Sequence, residues 1–163
     1  MILSELLHKI REKIPNIAIR TTLITGYPNE TEKDVEELIQ FMKEVQFDRL
    51  GVFTYSQEDG TVAFDLGDTL SEKEKEQRKA YIMETQQQIS LSQNEKRIGK
   101  QTKVIIERKE NEHYVGRTEW DAPEIDNEIF IPFSEKYNFS IGDFAKVTIT
   151  DAMEYDMVGE VIK

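Results

Sequence analysis

The sequence predicts two folds in succession: an α/β segment of parallel βα units, then an all-β barrel of the five-stranded, antiparallel, OB-like kind. Three observations carry this expectation. Up to residue 98, apolar residues recur at helical spacing around two short β-branched runs with short connections. After Gly99 the period changes to two, and five short runs are separated by turn residues. The 163 residues suffice for two small domains. We therefore divide the chain into segments 1–98 and 99–163.

Each element has its own signal. Leu3, Leu6, Leu7 and Ile10 mark a first helix that Pro15 closes. In Ile17 to Thr25 both alternating sets are largely apolar or small, which predicts a parallel strand covered on both faces. Gly26-Tyr27-Pro28 ends that strand. Thr31 and Asp34 form a capping-box pair ahead of a helix whose buried stripe is Val35, Leu38, Ile39, Met42 and Val45. Arg49 to Tyr55 reads as a second strand of the same type. Residues 56–70 form a loop with two glycines and the acids Glu58, Asp59, Asp65 and Asp68, and loops of this length are often functional. Ser71 and Glu74 open a long helix that Gly99 ends. Its polar sequence leaves only a thin stripe through Tyr81, Ile82, Thr85 and Ile89 for burial. The five runs that follow are 102–110, 113–119, 128–131, 144–152 and 155–162.

Composition narrows the chemistry. The chain has no cysteine, hence no disulfide, thiolate metal site or cysteine nucleophile. Its two histidines, His8 and His113, lack metal-ligand spacing and read as surface residues, so no metal site is expected. No apolar run is long enough for a membrane span and no signal peptide is evident, so a cytoplasmic protein is expected. The net charge is −11, and residues 101–163 carry 7 Lys/Arg against 14 Asp/Glu. Phosphate backbones reward clustered cations, so direct nucleic-acid binding is not expected and a basic partner is.

Alternation in the first strand sets Ile17, Ile19 and Leu23 against helices and turns Arg20, Thr22 and Ile24 to the other face. An arginine there needs an anion: a structural carboxylate in one reading, a substrate carboxylate in the other. In the second strand Gly51, Phe53 and Tyr55 share that face. The two aromatics either stack on an adenine or pack as ordinary core. The acids Glu119, Asp121, Glu124, Asp126 and Glu128 surround Trp120 and a rigid Ala122-Pro123 step. They read as a solvated turn or as a protein-binding surface.

Taken together, "IAIRTTLITGYPNETEKDVEELIQF", "FDRLGVFTYSQEDGT" and "GRTEWDAPEIDNEIFI" resemble the C-terminal part of the RimO family. These are radical-SAM methylthiotransferases that modify an aspartate of the twelfth small-subunit ribosomal protein. The resemblance spans nearly the whole chain. It implies that residues 1–98 are the last βα units of a partial TIM-type radical-SAM barrel, and that residues 99–163 are a TRAM domain docking a basic ribosomal protein. It also implies S-adenosylmethionine and two [4Fe–4S] clusters in the full-length enzyme. On this resemblance Arg20, Thr22, Gly26, Phe53 and Tyr55 line the cofactor site, and Glu119, Trp120, Asp121, Glu124 and Asp126 face the partner. The cluster cysteines of the family are absent here, so this piece alone is expected to be inactive. Two alternatives remain open: a tRNA methylthiotransferase of the same family, and a stand-alone acidic protein-binding module.

Overall fold

The computed structural model describes residues 3–162. The described chain divides into two compact units, with the division between Ile89 and Ser90.

The first unit runs α1 (Leu3–Lys13), β1 (Arg20–Thr25), α2 (Glu32–Val45) and β2 (Arg49–Thr54), then a loop with one 3-10 turn (Phe64–Leu66) and most of α3 (Glu72–Glu95). Strands β1 and β2 pair in parallel, with Thr22 opposite Gly51 and Ile24 opposite Phe53. Thr31 caps α2 in a reciprocal capping box with Asp34, as its sequence predicts. The predicted stripe of α2 is the core of this unit: Val35, Ile39, Met42 and Val45 are buried with Phe47, Val52, Ile82 and Ile89, and Leu38 packs at the margin. Burying side chains of this size is worth about 1.5–3 kcal/mol each. At the far end of α2, Arg11 from α1 donates to the carbonyl oxygens of Val45 and Gln46, the latter at 2.7 Å, and to Asp48 at 3.3 Å. A cation thus sits where the helix dipole is negative.

Two expectations for this unit are corrected. The strands are not covered on both faces: Ile19, Leu23 and Val52 pack under the helices, whereas Arg20, Thr22, Ile24 and Phe53 are exposed on the opposite face. The helices of this unit supply one layer, and one layer covers one face. The buried stripe of α3 also differs, because Tyr81 is exposed while Lys75 and Gln86 are sealed in. Their polar ends are tolerated because each meets an acceptor; Gln86 Nε2 donates to the Phe47 carbonyl at 3.0 Å.

The second unit is a closed barrel in the order β3 (Gln101–Glu110), β4 (His113–Thr118), β5 (Ile129–Pro132), β7 (Met157–Val161), β6 (Phe144–Ala152). All five strands lie where the period-two runs place them. The expectation of a wholly antiparallel barrel is corrected: β5 and β7 are parallel and the other pairs antiparallel. The reason is parity. A ring with an odd number of strands cannot alternate direction all the way round, so closure of five forces at least one parallel pair. Register shifts at Ile106/Arg108 in β3 and Ile149/Asp151 in β6 bend the two longest strands around the axis. Val104, Ile106, Tyr114, Ile129, Ile131, Val147, Ile149 and Met157 fill the interior.

Closure leaves no room at Gly116, where an added Cβ would lie 2.2 Å from the Ile105 carbonyl oxygen and 2.7 Å from Val104. Gly116→Ala should therefore lower barrel stability by about 1–3 kcal/mol, the usual range for overpacking. Thermal unfolding followed by circular dichroism checks this; an unchanged melting temperature would contradict the close approach.

Candidate functional site

In open parallel α/β sheets, ligands approach the carboxyl ends of the strands. Here those ends carry a dense polar clasp. Gly26 follows β1 with φ +80, a left-handed conformation that favours glycine. Glu30 reaches back to this turn: its Oε1 accepts from the Gly26 backbone N–H at 2.9 Å, from the Thr25 hydroxyl at 3.0 Å and from Arg78 Nη1 at 2.7 Å. Arg78 also donates to the Glu30 carbonyl at 3.0 Å. One carboxylate oxygen thereby joins the strand end, the turn and α3.

Beside it, Lys75 of α3 is fully buried. Its ammonium donates to Asp68 at 2.5 Å, Glu72 at 2.7 Å and the Tyr55 carbonyl at 3.1 Å. The lysine stem lies against Gly26, where a Cβ would come within 2.6 Å of Lys75 Cγ. The glycine therefore serves both the backbone turn and the passage of the lysine. Hydrogen bonds donated to Asp68, then to Glu72, hold the Lys75 ammonium above the ordinary lysine range against its burial. The loop from 56 to 70 is tied down by this lysine through Asp68, by the Tyr55 hydroxyl donating to Ala63 at 3.2 Å, and by Gln57 donating to Phe64 at 2.8 Å. The charged groups of the clasp are engaged with one another, so it shapes a surface rather than supplying a reactive group.

The residues singled out in sequence fall into three places. Arg20, Thr22 and Phe53 share the exposed face of the strands, with Phe53 64% exposed and a Cβ at Gly51 meeting nothing within 4 Å. Gly26 and Tyr55 belong to the clasp. Tyr55 is buried, its ring edge-on to Tyr27 at 5.5 Å, so it is not part of the open wall. The acidic run of the barrel is mostly consumed internally. Asp121 is buried and accepts from the Thr118 hydroxyl at 2.5 Å; Asp126 accepts from Ala122 N at 2.7 Å; Glu128 is held in a two-pronged pair by Arg108. That arginine keeps the Glu128 carboxyl below the usual range. Trp120 is stacked under Arg97 at 4.4 Å. Glu119 and Glu124 remain exposed.

Sequence reasoning missed Glu30, Lys75 and Arg78, and named Asp68 only as one acid of the loop from 56 to 70. Glu30 had a usable signal, an acid four residues beyond a turn glycine. Lys75 had none, because "EKEKEQRK" reads as a solvated face.

Comparison with known proteins connects both units. Residues 98–162 match the TRAM domain family. The whole chain is 50% identical over 159 residues to the ribosomal protein uS12 methylthiotransferase RimO of Cytophaga hutchinsonii, covering 98% of this chain and 36% of that protein. It is 45% identical to the protein of the same name from Chloroherpeton thalassium, over 98% of this chain and 37% of that one. For the one from Phocaeicola vulgatus the identity is 46%, over 97% and 37%. The chain thus spans little more than a third of the length of these relatives and corresponds to their C-terminal part. No helix among the described residues is long and apolar enough to cross a membrane.

The buried lysine makes a pH prediction. Its folded-state pKa is raised, so its contribution to stability is complete below the unfolded lysine value of about 10.4 and is lost as pH rises through the folded value. Denaturant unfolding of the chain across the alkaline range should show this decline, and Lys75→Met should be less stable at neutral pH and lack it. Equal alkaline slopes for the two proteins would remove Lys75 from this role.

Proposed function

We propose, from homology with RimO methylthiotransferases that runs unbroken through both units, that this chain is the C-terminal part of a uS12 methylthiotransferase. That continuity is the observation that carries the reading, because it joins a TRAM barrel to an α/β segment in one sequence. In this reading the two βα units are the last of a partial TIM-type barrel, with further strands beside β1 and β2. The exposed face of the sheet supports it: Thr22, Ile24 and Phe53 form a wall that one layer of helices leaves uncovered.

The reaction assigned to the full-length enzyme transfers a methylthio group to an aspartate of uS12 by radical-SAM chemistry. The residues present do not fit an iron–sulfur cluster. Thiolates hold such clusters and this chain has none, so no step of this chain runs through one. S-adenosylmethionine fits better. Phe53 offers an exposed ring for an adenine, Gly51 leaves open space beside it, and Thr22 supplies a hydroxyl on the same face. The role of this chain is then to orient the cofactor along the wall, with the Glu30 and Lys75 clasp holding the strand ends and the loop from 56 to 70 in shape.

The barrel is assigned the docking of uS12. An excess of acids over bases across residues 101–163 suits a basic partner and disfavours the tRNA-modifying alternative. Because Asp121, Asp126 and Glu128 hold the barrel's own turns, the docking charges reduce to Glu119 and Glu124.

Two experiments test this. In the full-length enzyme, Phe53→Ala should weaken S-adenosylmethionine binding by roughly 2- to 10-fold, the worth of one aromatic contact, with the melting temperature unchanged. Unchanged cofactor affinity would take Phe53 off the wall. In a salt series with uS12, Glu119→Lys with Glu124→Lys should reduce affinity a few-fold, since exposed pairs are worth about 0–1 kcal/mol each, and binding should weaken as salt rises. Tighter binding to tRNA than to uS12 would favour the tRNA-modifying alternative.

A further inference from the structure

One groove on the barrel has the opposite character from its surroundings. It encloses about 430 Å³ between β3, β6 and the turn after β4, and its walls include Lys103, Lys146, Phe144 and Trp120. Lys103 and Lys146 stand directly opposite each other in the antiparallel β3–β6 pair. Like charges in that position destabilise a sheet, and neither lysine has a carboxylate within ion-pair distance among the described residues. The two arginines of the barrel differ, since Arg108 is paired with Glu110 and Glu128, and Arg117 with Glu107. Phe144 is 58% exposed, and Lys103 lies over its ring at 3.9 Å. Glu119 is the one acid of the lining.

We propose that this groove binds a short acidic protein segment carrying an apolar side chain. The two ammonium groups would take carboxylates, and the apolar side chain would lie between Phe144 and Trp120. Charge complementarity selects the occupant. Two lysines directly opposite each other match one or two carboxylates of a short segment that stays within the groove, whereas a polyphosphate strand carries a charge at every residue and would run on over the acidic remainder of a domain with 14 acids against 7 bases. The groove shares Glu119 with the docking charges proposed for uS12, but its ligand is opposite in sign to a basic substrate, so it would recruit a different partner.

The test uses the whole chain and a short fluorescein-labelled peptide in which glutamates flank a single leucine, followed by fluorescence anisotropy. Saturable binding is expected, weakened at least about tenfold in the Lys103→Glu/Lys146→Glu variant. Weakening should be smaller in Lys146→Gln and negligible in Lys136→Glu, which carries a charge reversal away from the groove. All these lysines are exposed, and circular dichroism confirms that each variant is folded. Binding of a matched peptide with lysines for glutamates should not be weakened by the Lys103→Glu/Lys146→Glu change. The proposal fails if the acidic peptide does not saturate, or if the double variant binds as well as Lys136→Glu. It also fails if single-stranded oligouridylate binds more tightly than the peptide through the same two lysines.

Discussion

Strand backbone must find partners for its N–H and C=O groups, and this demand shapes the two units in opposite ways. In the barrel it is met by closure: five strands return on themselves, no edge is left, and parity then dictates that β5 and β7 run parallel. Closure also requires the bends in β3 and β6 and the missing side chain at Gly116. In the α/β unit two parallel strands satisfy only each other, and among the described residues each outer edge and one face have no strand or helix upon them. The first architecture is self-sufficient; the second is shaped as a wall.

What keeps that wall in form is electrostatic rather than apolar at its upper rim. The hydrophobic core of α2, α3 and the strands fixes the helices under the sheet, but the strand ends, the turn at Gly26 and the following loop are joined by Glu30, Arg78 and Lys75. A buried lysine is costly unless its ammonium is satisfied, and here three acceptors surround it. Such an arrangement contributes less to net stability than its distances suggest, yet it permits few alternative geometries. A rim that must present a ligand at a fixed place is where that property is useful.

The barrel separates its charges with similar economy. Most acids of the 119–128 run are held by its own turns, which is why an acidic sequence does not become an equally acidic surface. Two cations without a carboxylate partner among the described residues, Lys103 and Lys146, stand instead in one groove with Phe144 and Trp120. Net charge describes the field at a distance; local pairing decides which charges a partner meets.

The sequence by itself determined the element order, the capping boxes, the stripe of α2 and the five barrel strands, because these follow from periodicity and from short-range capping chemistry. It also separated the helix-facing set Ile19 and Leu23 from Arg20 and Thr22, since alternation in a strand is local. Only the tertiary structure decided that the face bearing Arg20, Thr22 and Phe53 is open, because coverage depends on where helices distant in sequence come to lie. The same holds for Lys75, whose burial next to Gly26 needs α3 to cross the end of β1 and is invisible in a charged helical repeat. Asp121 and Asp126 looked available because sequence counts charges but not the backbone donors that turn toward them. The parallel β5–β7 pair was a consequence of closure, which no single strand encodes.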